Sequence, residues 1–143
     1  MSEQEQRITD VIKTYWESKQ NGRPFPSESD INSDEIASVW PNCFLVQVKP
    51  NGKYTYSFLG QSIIEAYADN IEGEEVVEDL LYPESPGVVA KFNEVVEAKE
   101  PVYYDGSFIN KNNMDIKFRK MLLPLGENGK VTYILGGMRW RAF

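Results

Sequence analysis

The chain has 143 residues, of which 41% are hydrophobic and 26% charged, a composition typical of a single folded domain. Its net charge of −7 argues against nucleic acid as a partner, because that binding depends on an excess of Lys and Arg. The chain contains no histidine, which excludes a histidine-ligated haem and removes the commonest metal ligand and general base, so we predict no metal site and no catalytic site.

The expected compartment follows from the termini and the cysteine content. No apolar run approaches the roughly 20 residues of a membrane helix, and the acidic start of the chain does not resemble a secretory signal. The single cysteine, Cys43, cannot form an internal disulfide and agrees with a reducing environment. We therefore expect a cytoplasmic protein with no membrane partner.

The N-terminal segment predicts an amphipathic helix. Ser2 and Glu5 have the spacing of a capping box, and the helix is expected to end near Asn21-Gly22. Five apolar residues then share one helical face: Ile8, Val11, Ile12, Tyr15 and Trp16. This face needs a cover, either the protein's own sheet or a second copy of the chain, so the five residues are candidate dimer contacts.

A loop and a short helix are predicted to follow. Residues 23–34 combine two prolines with Ser, Asp and Asn, which favours a loop. Asn32 or Ser33 can cap a short helix from Ile36 to Val39, which Pro41 would end. We treat residues 1–42 as an N-terminal extension and residues 43–143 as the core.

The core pattern predicts two strands, a block of helices and three more strands. Apolar and aromatic runs flank the turn at Asn51-Gly52, which indicates a β-hairpin over residues 43–60. Helical spacing then predicts two short helices, the second including Val76, Val77, Leu80 and Leu81, and a third from a Ser85-Pro86 start to Ala98. Three strand-like runs close the chain: residues 102–109, 115–123 and 131–140. The predicted class is α+β, with an antiparallel sheet and helices on one face.

Several short motifs follow one another along the chain: Tyr15-Trp16, Gly22-Arg23-Pro24-Phe25-Pro26, Asp30-Ile31, Trp40-Pro41 before the first strand and Leu59-Gly60 after the hairpin. Motifs in this order resemble a bacterial family of stand-alone PAS domains. Similar steps continue at Leu123-Pro124-Leu125 and Gly136-Gly137, so the resemblance extends over residues 8–140. Trp40 departs from the pattern, since the family usually has leucine there.

The resemblance implies a PAS fold with sheet order 2-1-5-4-3 and a cavity between the sheet and the helical block. It also implies sensing or signalling by non-covalent ligand binding, protein contact or homodimerisation, and not catalysis. Because the chain ends at Phe143, just after the last strand, we expect its output to be contact with a separate signalling protein.

Aromatic residues of the hairpin, helices and later strands are candidates for lining such a cavity, although plain core packing would also explain them. The candidates are Phe44, Tyr56, Phe58, Tyr67, Phe92, Tyr103, Phe118 and Tyr133, with Phe108 in the same set. Arg119 alternates with Phe118 and is expected at the surface, although it could instead pair with an acidic ligand group.

Cofactor binding has one weak indication. Asn42-Cys43-Phe44-Leu45 resembles part of the signature of flavin-binding light sensors, whose cysteine forms a flavin adduct. Here the motif opens the first strand and lacks the arginine of that signature, which argues against an adduct and favours a buried, inert cysteine. No cofactor is predicted, and a small ligand of unknown identity remains open.

Two alternatives to the sensor stay open. One is a small-ligand enzyme or carrier on a cone-like α+β scaffold, with Tyr and Asp as acid and base. The other is a protein-interaction module with a filled core and no ligand.

Overall fold

The computed structural model describes residues 3–76 and 87–143, with side chains from Ile8 onward. Three helices are described, α1 (Glu3–Ser18), α2 (Gln61–Tyr67) and α3 (Val88–Ala98), and single 3-10 turns lie at Glu28–Asp30, Ser33–Ile36 and Trp40–Asn42. The strands are β1 (Cys43–Val48), β2 (Tyr54–Leu59), β3 (Val102–Ile109), β4 (Asp115–Glu127) and β5 (Lys130–Ala142). In place of the predicted short helix from Ile36 to Val39, the chain forms a 3-10 turn over Ser33–Ile36, which Asn32 caps by accepting a hydrogen bond from the Asp34 N–H.

The five strands form one antiparallel sheet in the order β2-β1-β5-β4-β3. This confirms the predicted fold class and strand order. The long hairpin of β4 and β5 lies at the centre of the sheet, and β1 joins the free edge of β5. The chain returns to the middle of the sheet because its last strand pairs with both its first and its fourth.

β4 continues four residues beyond its predicted end at Leu123. Proline is normally excluded from a central strand because it lacks the N–H that the ladder needs. Here β3 pairs with β4 only as far as Leu122, so the neighbouring edge is free where Pro124 occurs. The carbonyl of Pro124 instead accepts a hydrogen bond of 2.9 Å from Nε1 of Trp16.

The sheet is covered on both faces. Its inner face packs against α2 and α3, and its outer face packs against α1 and the N-terminal turns. Two clusters of buried side chains result. The inner cluster includes Phe44, Tyr56, Ile63, Tyr67, Phe92, Phe108, Phe118, Leu122 and Ile134. The outer cluster includes Ile12, Tyr15, Trp16, Phe25, Cys43, Met121, Leu123, Leu125 and Leu135.

α1 lies on the sheet of its own chain. Ile12, Tyr15 and Trp16 are buried there, while Ile8 and Val11 are half-buried beside them. Most of the apolar face of α1 is therefore covered by the chain's own sheet, and dimer contacts through these five residues stay a prediction. No helix in the described ranges has both the length and the apolarity to cross a bilayer.

The free edge of β2 is covered by residues 73–76. The N–H of Tyr56 donates to the Glu74 carbonyl, and Thr55 forms a β-bridge with Glu75. Val76 is therefore part of an extended segment, where the sequence pattern predicted the start of a second short helix. The rest of that predicted helix lies outside the described residues. So does Ser85-Pro86, the predicted start of the third helix.

Candidate functional site

Five of the eight predicted cavity residues meet in the inner cluster. They come from β1, β2, α2, α3 and β4: Phe44, Tyr56, Tyr67, Phe92 and Phe118. All five are at most 4% exposed. Phe44 can lie flat over β5 because its neighbour is Gly136, where a Cβ atom would overlap the Phe44 ring. With Tyr104 of β3, these side chains define what we call the aromatic compartment.

The rings of the aromatic compartment contact one another mostly edge to face. The Phe44 and Tyr56 ring centroids are 6.0 Å apart at 72°, and Tyr104 meets Phe118 at 5.8 Å and 89°. Tyr56 also contacts Phe92, at 6.3 Å and 82°. Such pairs place the positive edge of one ring against the negative face of another, which orders the lining of the compartment.

The other three predicted cavity residues lie elsewhere. Tyr133 is half-buried against the outer cluster, and Tyr103 is 53% exposed. Phe58 stacks on Trp40 with centroids 4.8 Å apart, outside both clusters. A bulge in the pairing of β1 and β2 separates Phe58 from Tyr56, so the two aromatics do not share a face although they are two residues apart.

Lys120 is enclosed by the aromatic compartment and is only 2% exposed. Its Nζ lies 4.8 Å from the Phe118 ring centroid and 5.8 Å from those of Phe44, Tyr67 and Tyr104. It also donates a hydrogen bond of 3.2 Å to the Tyr67 hydroxyl. Aromatic faces and a hydroxyl partly replace the water that an ammonium loses on burial.

Burial changes the ionisation of these groups. Loss of hydration lowers the pKa of Lys120 to about 7. The same loss raises the pKa of the Tyr56, Tyr67 and Tyr104 hydroxyls, which therefore remain neutral. Lys120 is thus the group of the aromatic compartment that changes charge near neutral pH.

Two tyrosine hydroxyls of the aromatic compartment are buried and find no hydrogen-bond partner among the residues that the structure describes. The Tyr56 hydroxyl interacts with that of Tyr67, but no hydrogen bond of acceptable geometry satisfies it in the described part of the chain. The Tyr104 hydroxyl is likewise buried without a hydrogen bond to any described residue. Most buried polar groups have a partner, so such a pair calls for an explanation.

The sequence analysis missed Lys120 and Tyr104, although the alternation of β4 contained the signal. Side chains two residues apart share a face of a strand, so Lys120 belongs with Ile116, Phe118 and Leu122. Lys117 and Arg119 alternate with this set and are exposed, and Arg119 pairs with Asp105 at 3.3 Å, as its expected surface position implies. By charge alone, Lys117, Arg119 and Lys120 look equivalent. Their positions in the alternation of β4 place Lys120 on the buried face and the other two on the exposed face.

Cys43 lies on the opposite side of the sheet from the aromatic compartment. Its side chain is fully buried in the outer cluster, where Sγ is 3.5 Å from the Val39 carbonyl oxygen. Burial raises the pKa of the thiol to about 12, so the reactive thiolate is suppressed at neutral pH. Within the described residues, His, Cys, Asp and Glu form no group of three that could hold a metal ion.

Several solved structures share this fold. The chain has a TM-score of 0.58 and 13% identity with a light-oxygen-voltage domain studied with a flavin analogue, over 76% of this chain and 82% of that one. For the blue-light photoreceptor Aureochrome1 LOV in its light state, the TM-score is 0.55 at 11% identity, with 74% and 85% coverage. For the LOV domain of the Erythrobacter litoralis EL346 blue-light activated histidine kinase, it is 0.54 at 9% identity, with 71% and 95% coverage.

These identities are low enough that the structural likeness establishes the fold alone. No curated protein matches the chain. A family described as PAS domain matches residues 4–139, which is nearly the whole chain. The chain therefore belongs to the PAS domain family, whose members include sensory modules.

Proposed function

We propose that the protein is a sensory PAS domain that binds a small, largely apolar ligand in the aromatic compartment. One observation supports this most strongly: aromatic side chains from five separate elements converge on a buried amine and two unsatisfied hydroxyls. A core built only for stability gains nothing from the Tyr56 and Tyr104 hydroxyls, which lose water without gaining a hydrogen-bond partner among the described residues. A ligand that supplies those partners removes the penalty.

Signalling then requires a difference between the empty and occupied states. A ligand shifts such an equilibrium only as far as it prefers one state. α2 and β2 both line the aromatic compartment, and residues 73–76 pair with β2 at the sheet edge. Ligand binding in the aromatic compartment would therefore affect this edge of the sheet. We propose this edge as the surface that contacts a separate signalling protein.

The proposal favours binding over catalysis. The buried polar side chains of the described residues are Ser27, Asn110, Lys120 and Arg139, so the acid that the enzyme alternative needs beside a tyrosine is not among them. Cys43 faces away from the aromatic compartment, so a ligand there would be held without a bond to sulfur. Binding is therefore proposed to be reversible.

Native mass spectrometry of freshly purified protein tests this function. We expect an additional mass that is retained in the folded protein and lost on denaturation. Phe118→Trp overfills the aromatic compartment and should lower the retained fraction by about tenfold, since an oversized core side chain costs about 1–3 kcal/mol. Tyr103→Trp, an enlargement on the exposed face of the neighbouring strand, is the matched control and should retain the mass.

Two results would count against the proposal. One is a protein that carries only its own mass in every preparation and binds no small molecule from a cell extract. The other is an additional mass that Tyr103→Trp removes and Phe118→Trp leaves in place. Circular dichroism of both variants confirms that each has folded.

A further inference from the structure

The two edge strands of the sheet differ in how their free sides are covered. β2 is six residues long, has a bulge in its pairing with β1 and is covered by residues 73–76. β3, at the opposite edge, pairs only with β4, and no hydrogen bond from a described residue reaches the backbone on its far side. Such a side presents a row of N–H and C=O groups on which another strand can form.

β3 has none of the features by which edge strands usually avoid such pairing. These features are short length, lysine, proline and bulges. The eight residues of Val102–Ile109 include neither lysine nor proline, and their register with β4 has no shift. Tyr103 and Ile109 are 53% and 48% exposed, and they are two of the four exposed large hydrophobic residues in the described part of the chain. β3 is therefore an open and partly apolar edge.

The sequence of β3 is complementary to itself about Gly106. In antiparallel pairing around a two-fold axis, each residue lies opposite its counterpart at the same distance from the axis, and opposite residues share a face of the sheet. With Gly106 on the axis, Tyr103 of one copy lies opposite Ile109 of the other, and Tyr104 lies opposite Phe108. Apolar and aromatic pairs of this kind stabilise a sheet, and symmetry makes each of them occur twice.

The charges of the edge fit the same register. Asp105, the one charged residue of β3, lies opposite Ser107 of the second copy, so like charges do not meet directly. Ser107 is paired in turn with Lys117 of β4, an exposed cation on the same face. Asp105 is also paired with Arg119 of its own chain at 3.3 Å. A register shifted by two residues would instead place Asp105 opposite itself.

We propose that two copies of the chain associate through β3, antiparallel around a two-fold axis at Gly106, so that two five-stranded sheets become one continuous sheet. The contact lies on neither α1 nor the aromatic compartment, so it is independent of ligand binding. One pair of strands makes a small interface, and small interfaces are weak. We therefore expect a reversible dimer that forms at high micromolar concentration.

Sedimentation velocity of the full chain, from low to high micromolar concentration, tests the inference. The sedimentation coefficient should rise from that of a monomer to that of a dimer. Ile109→Lys places a lysine in the interface twice and should weaken association at least about tenfold, because lysine on an edge strand opposes pairing. Met114→Lys, the same substitution at a residue that is 44% exposed and precedes β4, is the matched control and should leave association unchanged.

Amide hydrogen exchange of the unchanged protein locates the contact. Every second N–H of β3, on the side that points away from β4, should exchange more slowly at high concentration, whereas the amides of β2 should exchange at the same rate. A chain that stays monomeric at every concentration would overturn the inference. A dimer that Ile109→Lys leaves intact, or one that protects no amide of β3, would also overturn it, since the two copies would then meet through another surface. Circular dichroism confirms that both variants have folded.

Discussion

The outer and inner faces of the sheet are both buried, but they differ in how their polar groups are satisfied. On the outer face, Nε1 of Trp16 donates to Pro124, and the Tyr15 hydroxyl lies 2.6 Å from a Glu35 carboxylate oxygen. On the inner face, the hydroxyls of Tyr56 and Tyr104 find no hydrogen-bond partner among the described residues, and Lys120 is buried among rings. The Thr55 hydroxyl, which alternates with Tyr56 along β2, is also unsatisfied among these residues. The outer face has the features of a structural core, whereas the inner face is the proposed binding site.

The two faces of the sheet therefore have different roles within one small domain. α1 joins its own sheet through aliphatic and aromatic contacts and the hydrogen bond from Trp16 to the Pro124 carbonyl, which stabilises the fold. The opposite face can then hold groups that weaken the empty protein and bind a ligand. Functional sites are commonly built from such locally unfavourable groups within an otherwise consistent structure.

The largest expected effect is on the outer face. Trp16→Ala removes a side chain that is 4% exposed and leaves the Pro124 carbonyl without its donor. We expect a loss of about 3–5 kcal/mol in the free energy of unfolding. Urea denaturation checks this value, and Tyr103→Ala, at an exposed aromatic, should change it by less than about 0.5 kcal/mol. Equal losses for the two variants would show that α1 does not anchor the fold.

The next effect concerns Lys120. Its pKa lies at about 7 in the folded protein against 10.5 ordinarily, so between these values the unfolded chain binds a proton that the folded chain does not. Stability therefore falls as pH decreases from 10.5 to 7 and stays low below that. Lys120→Met removes this dependence and should stabilise the protein at pH 6 by a few kcal/mol more than at pH 9.5.

Urea unfolding of both proteins at the two pH values measures this difference. Lys117→Met, the same substitution at an exposed position of the same strand, serves as the control. If Lys120→Met changes the free energy of unfolding by the same amount at both pH values, the Lys120 amine titrates normally and is not desolvated.

Removing single hydroxyls should change the stability of the protein by smaller amounts, and differently on the two faces of the sheet. Tyr15→Phe breaks the bond to Glu35 and leaves the Asn32 N–H without its acceptor, so we expect a loss of about 1–2 kcal/mol. Tyr56→Phe removes a buried hydroxyl that no hydrogen bond satisfies within the described residues, and it should be neutral or stabilising by up to about 1 kcal/mol in ligand-free protein. Thermal unfolding of refolded protein distinguishes them. The opposite order would mean that the inner face is the better satisfied one.

The smallest effect on the fold is expected from probing Cys43. Because the thiol is fully buried and its pKa is raised to about 12, a thiol reagent should label it only after unfolding. Labelling in native buffer and in urea, followed by mass measurement, checks this. Rapid labelling of the folded protein would show that the outer face opens at β1.

The sequence predicted elements well where local pattern and packing agree. The bounds of β3 match the prediction because Pro101 precedes it and a turn at Lys111-Asn112-Asn113 follows. The end of β4 was missed because whether a strand tolerates Pro124 depends on where its neighbour β3 ends, a property of the assembled sheet. The pairing of residues 73–76 with β2 is likewise non-local.

The candidate site was predictable in part. Aromatic content identified five of its lining residues, but composition could not separate them from Phe58, Tyr103 and Tyr133, which strand register and a bulge direct elsewhere. Lys120 could have been found from its parity in β4. The unsatisfied hydroxyls could not, because satisfaction depends on the three-dimensional positions of partners from several elements.

The most direct test of the proposed site is an NMR titration of the Lys120 side-chain nitrogen, assigned by comparison with Lys120→Met. We predict a midpoint near the value of about 7 that burial sets. A midpoint near 10.5 would contradict the claim that Lys120 is buried among the rings of the aromatic compartment.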